Sequence, residues 1–378
     1  MTARVALVVL LAALAVGLAR GGHEQPVYPS YYPQEIEIAK VAPQAAADLL
    51  STGKLHAYVG VAPHAVSTAP DPTIGVVESL GSFVIVRLNP AAALAADETS
   101  ACAAASTIVR GMVGLAGAAA MTVHPYPVTP WHGDYLSHID RAEAERARML
   151  GSEAPTLRAS PRVRASSELA RSLIPAQWLA AGADWDAAIE EISVAAIMRA
   201  STVALNGWLG PAQVRAGWFH ATRVLGGAPG QDEAKILQAR LEASEGGTTV
   251  ERINLERELV RSLLAGCSTI VAGYTLKREP FNAQYSTGIE NIAYDALEGL
   301  SSPMFLRTVK LKDFPWNGWL QLGIAAAPDS AWNPIGGFTD PFGRLAWYAL
   351  SDAAAIPSPY EAGWTLNRIS DVEAAARK

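Results

Sequence analysis

Strand-like and helix-like patterns near the N-terminus constrain the fold of this chain more than any other feature. Polar and apolar residues alternate over residues 35–41, which is typical of a half-buried strand. Pro43 then begins a helical segment, at a position where the missing N–H of proline costs nothing. Gly53 ends this segment, and strand patterns follow over residues 55–61 and 82–88. The sequence therefore predicts a strand–helix–strand layer with at least one further strand.

Helical spacing dominates the middle of the chain, from about residue 90 to residue 275. Apolar residues recur at helical spacing in two stretches, formed by Ile189, Ile192, Ala196, Ala200 and Val203 and by Ile253, Leu259, Leu263, Cys267 and Ile270. Residues 304–311 are predicted to form a strand. We expect an α+β or mixed α/β protein, helix-dominated, with the small N-terminal layer and a loop-rich aromatic C-terminal region.

The first residues have the features of an export signal. Arg4 precedes an apolar run over residues 5–19, and Ala19 ends a group of small residues that predicts cleavage after it. A spanning helix needs about twenty apolar residues, so this run is short for a permanent anchor. We expect the mature chain in the periplasm or outside the cell. The alternative is an uncleaved N-terminal membrane anchor, with the body of the chain on the same outer side.

The sequence divides into four predicted segments, and its composition argues against one class of partner. Residues 1–19 are the predicted signal peptide, 20–150 an N-terminal α/β part, 151–166 a linker or mobile loop and 167–378 a mainly helical part with a loop-rich C-terminal region. Hydrophobic residues make up 50% of the chain, which is enough to fill a core. The formal net charge of −6 argues against nucleic-acid binding.

Only two cysteines occur, Cys102 and Cys267. In an oxidising compartment they could pair, but each lies among small apolar residues that would also suit a buried free thiol. Both states are left open by the sequence.

Residues 124–140 contain three of the seven histidines together with two carboxylates. Neutral imidazole and carboxylate are common ligands of zinc and similar metals. The candidate ligands of a divalent metal are His124, His132, Asp134 and His138. A structural interpretation competes with this one, because Ser137 and Asp140 match a capping box at the start of a helix.

Aromatic residues beside Asn and Asp suggest a surface for a small polar ligand, since flat rings stack while amides and carboxylates orient hydrogen bonds. The same aromatic residues could instead fill an irregular core. The candidate ligand-binding residues are Tyr58, Tyr126, Trp131, Trp316, Asn317, Trp319, Trp332, Asn333 and Asp340. Glu290 and Asp295 could form an acid/base pair, but residues five apart do not share a helix face well.

Residues 46–60, AADLLSTGKLHAYVG, resemble a stretch common in periplasmic solute-binding proteins. In that family a helix ends in a Gly-Lys turn and leads into a strand at the ligand cleft. The resemblance implies that residues 58–61 face such a cleft and that the protein captures a small solute. The chain departs from the family in its long helical middle and in the little sequence that precedes this unit.

These observations favour an exported ligand-binding or accessory protein of the cell envelope that binds a small polar solute. The sequence does not decide whether it is an enzyme, although no Gly-x-Ser-x-Gly elbow or nucleotide-binding pattern occurs in it. One alternative is a metal-dependent hydrolase that uses the His/Asp loop at 124–138. The other is a helical protein that binds an envelope protein partner.

Overall fold

The computed structural model describes residues 33–60, 72–153, 155, 157, 159–203, 212–227, 231–243, 248–314, 318–330, 338–350, 355–358 and 363–366. The predicted signal peptide, at residues 1–19, lies outside these residues.

An eight-stranded mixed sheet runs through this part of the chain. Its members are β1 (Glu35–Lys40), β2 (Ala57–Val59), β3 (Ile74–Leu88), β4 (Met121–Val123), β5 (Val163–Ala165), β6 (Ala187–Ser193), β7 (Thr269–Asn282) and β10 (Trp319–Ile324). The strand order is β1-β10-β2-β7-β3-β6-β5, and β4 also pairs with β7. Two small pairs stand apart from it, β8 (Ile289–Glu290) with β9 (Lys310–Leu311), and β11 (Ala355–Pro357) with β12 (Trp364–Leu366).

Helices cover the sheet. They are α1 (Pro43–Ser51), α2 (Glu98–Ala116), α3 (Ile139–Leu150), α4 (Glu168–Ser172), α5 (Val194–Val203), α6 (Gly217–Leu225), α7 (Asp232–Glu242), α8 (Thr249–Leu263), α9 (Pro303–Thr308) and α10 (Pro341–Leu350). A mixed sheet with this helical content confirms the predicted α+β or mixed class.

The long antiparallel pair of β3 and β7 lies in the middle of the sheet. On β3, Phe83 and Ile85 point into a core that α5 to α8 complete, whereas Val84 and Val86 point into a core with α2. Successive residues of a strand face opposite sides, so both faces of this ribbon are buried. Burial on both faces explains why residues 82–88, which are predicted to form a strand, are mostly apolar instead of alternating.

A third core lies at the other end of the ribbon, where β1, β2 and β10 meet. Val77 of β3 belongs to this core together with Leu320 and Leu322 of β10 and Phe305 of α9. The same two long strands therefore pass through all of these cores.

The N-terminal strand–helix–strand unit is present, but its two strands are not neighbours. β10 pairs in parallel with both β1 and β2 and lies between them. Ala46 and Leu50 of α1 pack on Leu55 and Tyr58. The crossover helix covers the unit as expected, while the central strand comes from far along the chain.

Three local predictions from the middle and end of the chain are wrong. Residues 187–193 form β6 before α5 begins, and the second predicted stripe ends with α8 at Leu263, after which β7 starts at Thr269. Residues 303–308 form α9, not a strand. Helices and strands follow each other here with few intervening residues. Apolar residues of a strand and of the adjacent helix therefore lie at spacings that resemble one continuous helix. The predicted division of the chain at residues 151–166 stays a prediction.

Cys102 and Cys267 form a disulfide that joins α2 to the turn between α8 and β7. By length and composition α2 could cross a membrane. Of its apolar stretch, 44% is buried inside the fold. Its residues Ala104, Ala105, Ile108 and Met112 are almost completely buried against β3. This face of α2 is therefore already covered by protein.

Candidate functional site

Four charged side chains meet in the interior, where the segment after β8 approaches α10 and the 3₁₀ turn that ends at Arg215. Arg215 lies 3.1 Å from Asp295 (Nη2 to Oδ1) and 3.5 Å from Glu298 (Nη1 to Oε2). Arg344 Nη2 lies 2.7 Å from the other carboxylate oxygen of Glu298. Asp295 is fully buried, and the side chains of Arg215 and Glu298 are 6% and 5% exposed. We call these four residues the buried ion cluster.

The turn that carries both carboxylates is closed by its own first side chain. Asp295 Oδ1 accepts the N–H groups of Leu297 and Glu298, each at 2.7 Å. Gly299 follows with a φ of +62°, and a Cβ there would lie 2.1 Å from Glu279 Oε2. An Asp that binds the backbone ahead of it, followed by a Gly in the left-handed region, is typical of a tight turn. The local sequence thus fixes the positions of Asp295 and Glu298.

Glu279 of β7 attaches this turn to the end of β2. Its carboxylate accepts the N–H of Gly60 at 2.6 Å and the N–H of Leu300 at 2.7 Å, and it is fully buried. Lys277 Nζ lies 3.2 Å from Glu279 Oε1 and donates to the carbonyl oxygen of Glu298 at 2.7 Å. A third cation and a third carboxylate are therefore adjacent to the buried ion cluster.

The cluster lies at the boundary between two hydrophobic cores. On β3, Val77 belongs to the core where β1, β2 and β10 meet, which we call the core around β10. Leu80 belongs to the core that α5 to α8 complete, which we call the core under α6, and Ser79 lies between the two residues. On the turn, Leu300 and Leu297 divide between the same two cores. The buried ion cluster therefore separates these two cores.

Four polar atoms at this boundary have no hydrogen-bond partner, although they are buried. They are Arg215 Nε, Arg344 Nε, Asp295 Oδ2 and Ser79 Oγ. A buried polar atom without a partner costs about 1–3 kcal/mol, so natural proteins keep few of them. Two cationic donors, one carboxylate oxygen and one hydroxyl are thus left without protein partners in a single region.

Burial and neighbouring charges move the two cluster carboxyls in opposite directions. Burial would raise the pKa of Asp295, but Arg215 and the two turn N–H groups hold it below its ordinary value. Burial raises the pKa of Glu298, with Arg344 opposing and Asp295 adding to the rise. Burial also raises the pKa of Tyr348, next to the cluster, to about 12. Asp295 is therefore the carboxyl that keeps its charge most firmly.

A second polar region, made of histidines, lies under α6. The N–H of Thr129 donates to His132 Nδ1 at 2.9 Å, so that ring nitrogen carries no proton. His132 Nε2–H then donates to His220 Nδ1 at 3.0 Å, and His220 Nε2–H donates to the carbonyl of Val214 at 3.0 Å. This chain of bonds assigns both tautomers and satisfies both rings in their neutral form.

The four predicted metal ligands engage other partners. His124 Nε2 contacts the carbonyl oxygen of Val128 at 3.0 Å, His132 bonds to Thr129 and His220 as above, and His138 Nδ1 lies 2.8 Å from the hydroxyl of Tyr126. Across the described ranges, no group of three or more His, Cys, Asp or Glu side chains is placed to hold a metal ion. The predicted metal site is not confirmed.

Asp134, the carboxylate of that predicted set, caps a helix. Both of its oxygens accept the N–H of Gly217 at 3.0 Å, and Oδ2 also lies 3.4 Å from the N–H of Trp218. These N–H groups begin α6, where an anionic side chain satisfies free donors and the helix dipole. The predicted capping box is wrong, because Ser137 Oγ donates to the carbonyl oxygen of Asp134 and Asp140 pairs with Arg257.

The neutral histidine pair makes stability depend on pH. Burial lowers the pKa of His132 to about 3, and burial with the adjacent His132 lowers that of His220 well below its ordinary value. Below pH 6.5 the unfolded chain binds protons that the folded pair does not, so stability is complete above pH 6.5 and falls as the pH decreases towards 3. Below pH 6.5, each histidine should lower the free energy of unfolding by about 1.4 kcal/mol per pH unit. Between pH 7.5 and 5.5 the pair should therefore lower it by about 3 kcal/mol, because most of this change falls below pH 6.5.

Urea unfolding at pH 7.5, 6.5 and 5.5 would measure this slope. A double variant, His132→Gln with His220→Gln, serves as the control because neither replacement titrates. The expected result is a flatter profile for the double variant. Equal slopes in the two proteins would show that the pair does not cause the dependence.

The structure places five of the nine predicted ligand-binding residues. Tyr58 is fully buried, with its hydroxyl donating to the carbonyl of Val41 at 2.8 Å, and Tyr126 is buried beside His138. Trp131 is partly buried against the core under α6, whereas Trp319 is 64% exposed at the start of β10. Trp316, Asn317, Trp332 and Asn333 lie outside the described residues.

Asp340, the fifth of these residues, lies near the buried ion cluster. Its Oδ1 accepts the N–H of Gly343 at 2.8 Å and its Oδ2 accepts the hydroxyl of Ser330 at 2.6 Å, so it caps the start of α10. It also acts electrostatically on Arg344. Its carboxylate therefore positions the helix that carries a cluster arginine.

Sequence reasoning missed Arg215, Glu298 and Arg344. The sequence suggests a pair of Asp295 with Glu290, but Glu290 is exposed on β8, whereas Asp295 is fully buried against Arg215. Isolated arginines in apolar surroundings are a weak sign of a buried pair, because each pairs across a large sequence separation. Such pairing is visible only once the chain is folded.

No protein-family model matches the chain, and no curated protein matches it either. Solved structures do match. The PBP AgaA in complex with agropinic acid, from A. tumefaciens R10, has 10% identity and a TM-score of 0.41 and covers 71% of this chain and 59% of its own. HbpA2 from Haemophilus parasuis has 14% identity and a TM-score of 0.40, with coverage of 72% and 56%.

The periplasmic binding protein DppA from Helicobacter pylori, in complex with the peptide STSA, has 12% identity and a TM-score of 0.39. It covers 72% of this chain and 55% of its own, so the chain spans little more than half the length of the structures it matches. AgaA is described as a PBP and DppA as a periplasmic binding protein, and both statements concern those proteins. The likeness assigns no ligand to this chain.

Proposed function

We propose that this chain is an exported solute-binding protein whose ligand site is the buried ion cluster. The ligand is a small polar molecule that carries both an acceptor group, such as a carboxylate, and a donor group. The single observation that carries this proposal is the set of unpartnered buried atoms on Arg215, Arg344, Asp295 and Ser79.

The chemistry of these atoms selects the ligand. The Nε–H groups of Arg215 and Arg344 need an acceptor, and arginine donors bond most strongly to carboxylate or phosphate oxygens. Asp295 Oδ2 needs a donor, and an ammonium or amide N–H would supply one. On binding, the polar groups of the ligand would exchange water for these buried protein atoms.

Charge balance argues against a strongly charged ligand. With all six groups ionised, the charges of Arg215, Arg344 and Lys277 balance those of Asp295, Glu298 and Glu279. Burying a further net charge here would be expensive, because the interior has a low dielectric constant. A neutral or zwitterionic solute is the class that this region accepts.

Two observations support action outside the cytoplasm. The predicted signal at residues 1–19 would direct export, and the Cys102–Cys267 disulfide belongs to an oxidising compartment. The hydrogen bonds of Asp134, His132 and His138 to other protein groups support a structural role for these residues. A metal-dependent hydrolase is therefore the weaker candidate.

Native mass spectrometry of the mature protein, purified gently from its own compartment, tests this function first. We expect excess mass equal to a small organic molecule. Excess mass of a metal ion would instead favour the histidine loop and the hydrolase, and a stable complex with another protein would favour the partner-binding alternative.

The variant Arg344→Lys tests the site itself. Lysine keeps the positive charge but has no Nε–H in this position, so affinity for the co-purified molecule should fall about tenfold or more. Arg199→Lys is the matched control, because Arg199 pairs with Asp329 on the exposed surface. Isothermal titration calorimetry of the ligand-stripped proteins measures the difference. Equal affinities in both variants would place the ligand elsewhere.

A further inference from the structure

We propose that the Cys102–Cys267 disulfide is a thiol-exchange site, in which an external thiolate attacks Cys102 and Arg148 stabilises Cys267 as the leaving thiolate. The reactant is a small thiol or the thiol of a redox protein. This reaction is separate from solute binding.

The two sulfurs differ in access. Cys102 is half-buried on the second turn of α2, whereas Cys267 is 1% exposed in the turn before β7. An incoming thiolate needs a path to the sulfur that it attacks. Cys102 is the more exposed of the two residues, so its sulfur is the one we assign to attack, and the sulfur of Cys267 is then the departing group.

Arg148 of α3 lies beside the inner sulfur. Its Nη1 is 2.9 Å from Cys267 Sγ and 3.5 Å from Cys102 Sγ. A cation at this distance stabilises negative charge on sulfur, and the closer contact favours charge on Cys267. The departing thiolate would therefore form where the guanidinium is nearest.

Glu145 limits and orients this effect. It pairs with Arg148 one turn back on α3, through Nε at 2.8 Å and through Nη2. The pair uses the Nε and Nη2 edge of the guanidinium, which leaves Nη1 directed at the sulfurs. Glu145 thus holds Arg148 in place while reducing its net field, so we expect a moderate effect on rate.

The exchange takes place in two steps, and each step uses one thiol. The thiolate forms a new S–S bond to Cys102 Sγ as the Cys102–Cys267 bond breaks, and the bonding pair leaves on Cys267 Sγ. A second thiol can then resolve the mixed disulfide at Cys102. Over both steps two thiols are oxidised to one disulfide, and the protein disulfide is reduced to two thiols.

Reaction of the full mature chain with reduced glutathione in the presence of iodoacetamide tests the direction of attack. Acid quenching and peptide mass spectrometry should find glutathione on Cys102 together with carbamidomethyl on Cys267 in the same molecules. Glutathione on Cys267, or an even distribution between the two, would overturn the proposal.

Variants of Arg148 test the role of the cation. Loss of leaving-group stabilisation in Arg148→Met should slow mixed-disulfide formation about tenfold, whereas Arg148→Lys should retain most of the rate. Arg146→Met is the matched control on the same helix, because Arg146 donates to the carbonyl of Val123. Local destabilisation would speed the reaction, so slowing cannot come from poor folding. An unchanged or faster rate in Arg148→Met would overturn the proposal.

Discussion

Replacement of Cys102 and Cys267 by alanine is expected to lower the free energy of unfolding by about 4–5 kcal/mol. The disulfide joins residues separated by 165 positions, and closing so long a loop removes much conformational entropy from the unfolded chain. Chain-entropy estimates reach about 5 kcal/mol for loops longer than 100 residues, although measured values are often nearer 2–4. Urea unfolding of the oxidised parent and the double variant measures the difference.

The reduced parent protein is the control for this experiment. In a strong reductant it should unfold at nearly the same urea concentration as the double variant, because both lack the cross-link. A loss below about 1 kcal/mol in the double variant would mean that the unfolded chain is already restricted in this region.

Replacement of Arg215 by methionine is expected to destabilise the protein by about 3–5 kcal/mol. Arg215 is the cation 3.1 Å from Asp295, and its loss leaves a fully buried carboxylate that cannot reach water. The neutral pair Arg215→Met with Asp295→Asn should recover part of the loss, since no buried charge is then left alone. A double-mutant cycle by urea unfolding gives the coupling energy.

The exposed pair Arg199 and Asp329 supplies the comparison. Arg199→Met should change stability by less than about 1 kcal/mol, because water screens a surface ion pair. If Arg215→Met were equally mild, the buried ion cluster would have another source of compensation, and the ligand proposal would lose its basis.

The N-terminal layer shows what local pattern can predict. Alternation over residues 35–41 and proline at the start of α1 each reflect one element, and both elements form where expected. The insertion of β10 between β1 and β2 was not visible, because strand order depends on contacts across more than 260 residues.

The histidine loop shows what a local pattern leaves undecided about chemistry. His124 and Asp134 bond to backbone groups, His132 bonds to His220, and His138 bonds to the hydroxyl of Tyr126. His220 lies 88 positions from His132 in sequence, so nothing local indicated their contact.

The sequence by itself determined the mixed helix and strand class, the elements of the N-terminal layer and the net charge of −6 that disfavours nucleic-acid binding. Each of these depends on residues near one another or on composition. Only the tertiary structure decided the cysteine pairing, the order of the sheet and the buried ion cluster of Arg215, Asp295, Glu298 and Arg344. Desolvation and Coulomb energy act between atoms that are close in space, and folding brings these together from distant parts of the chain.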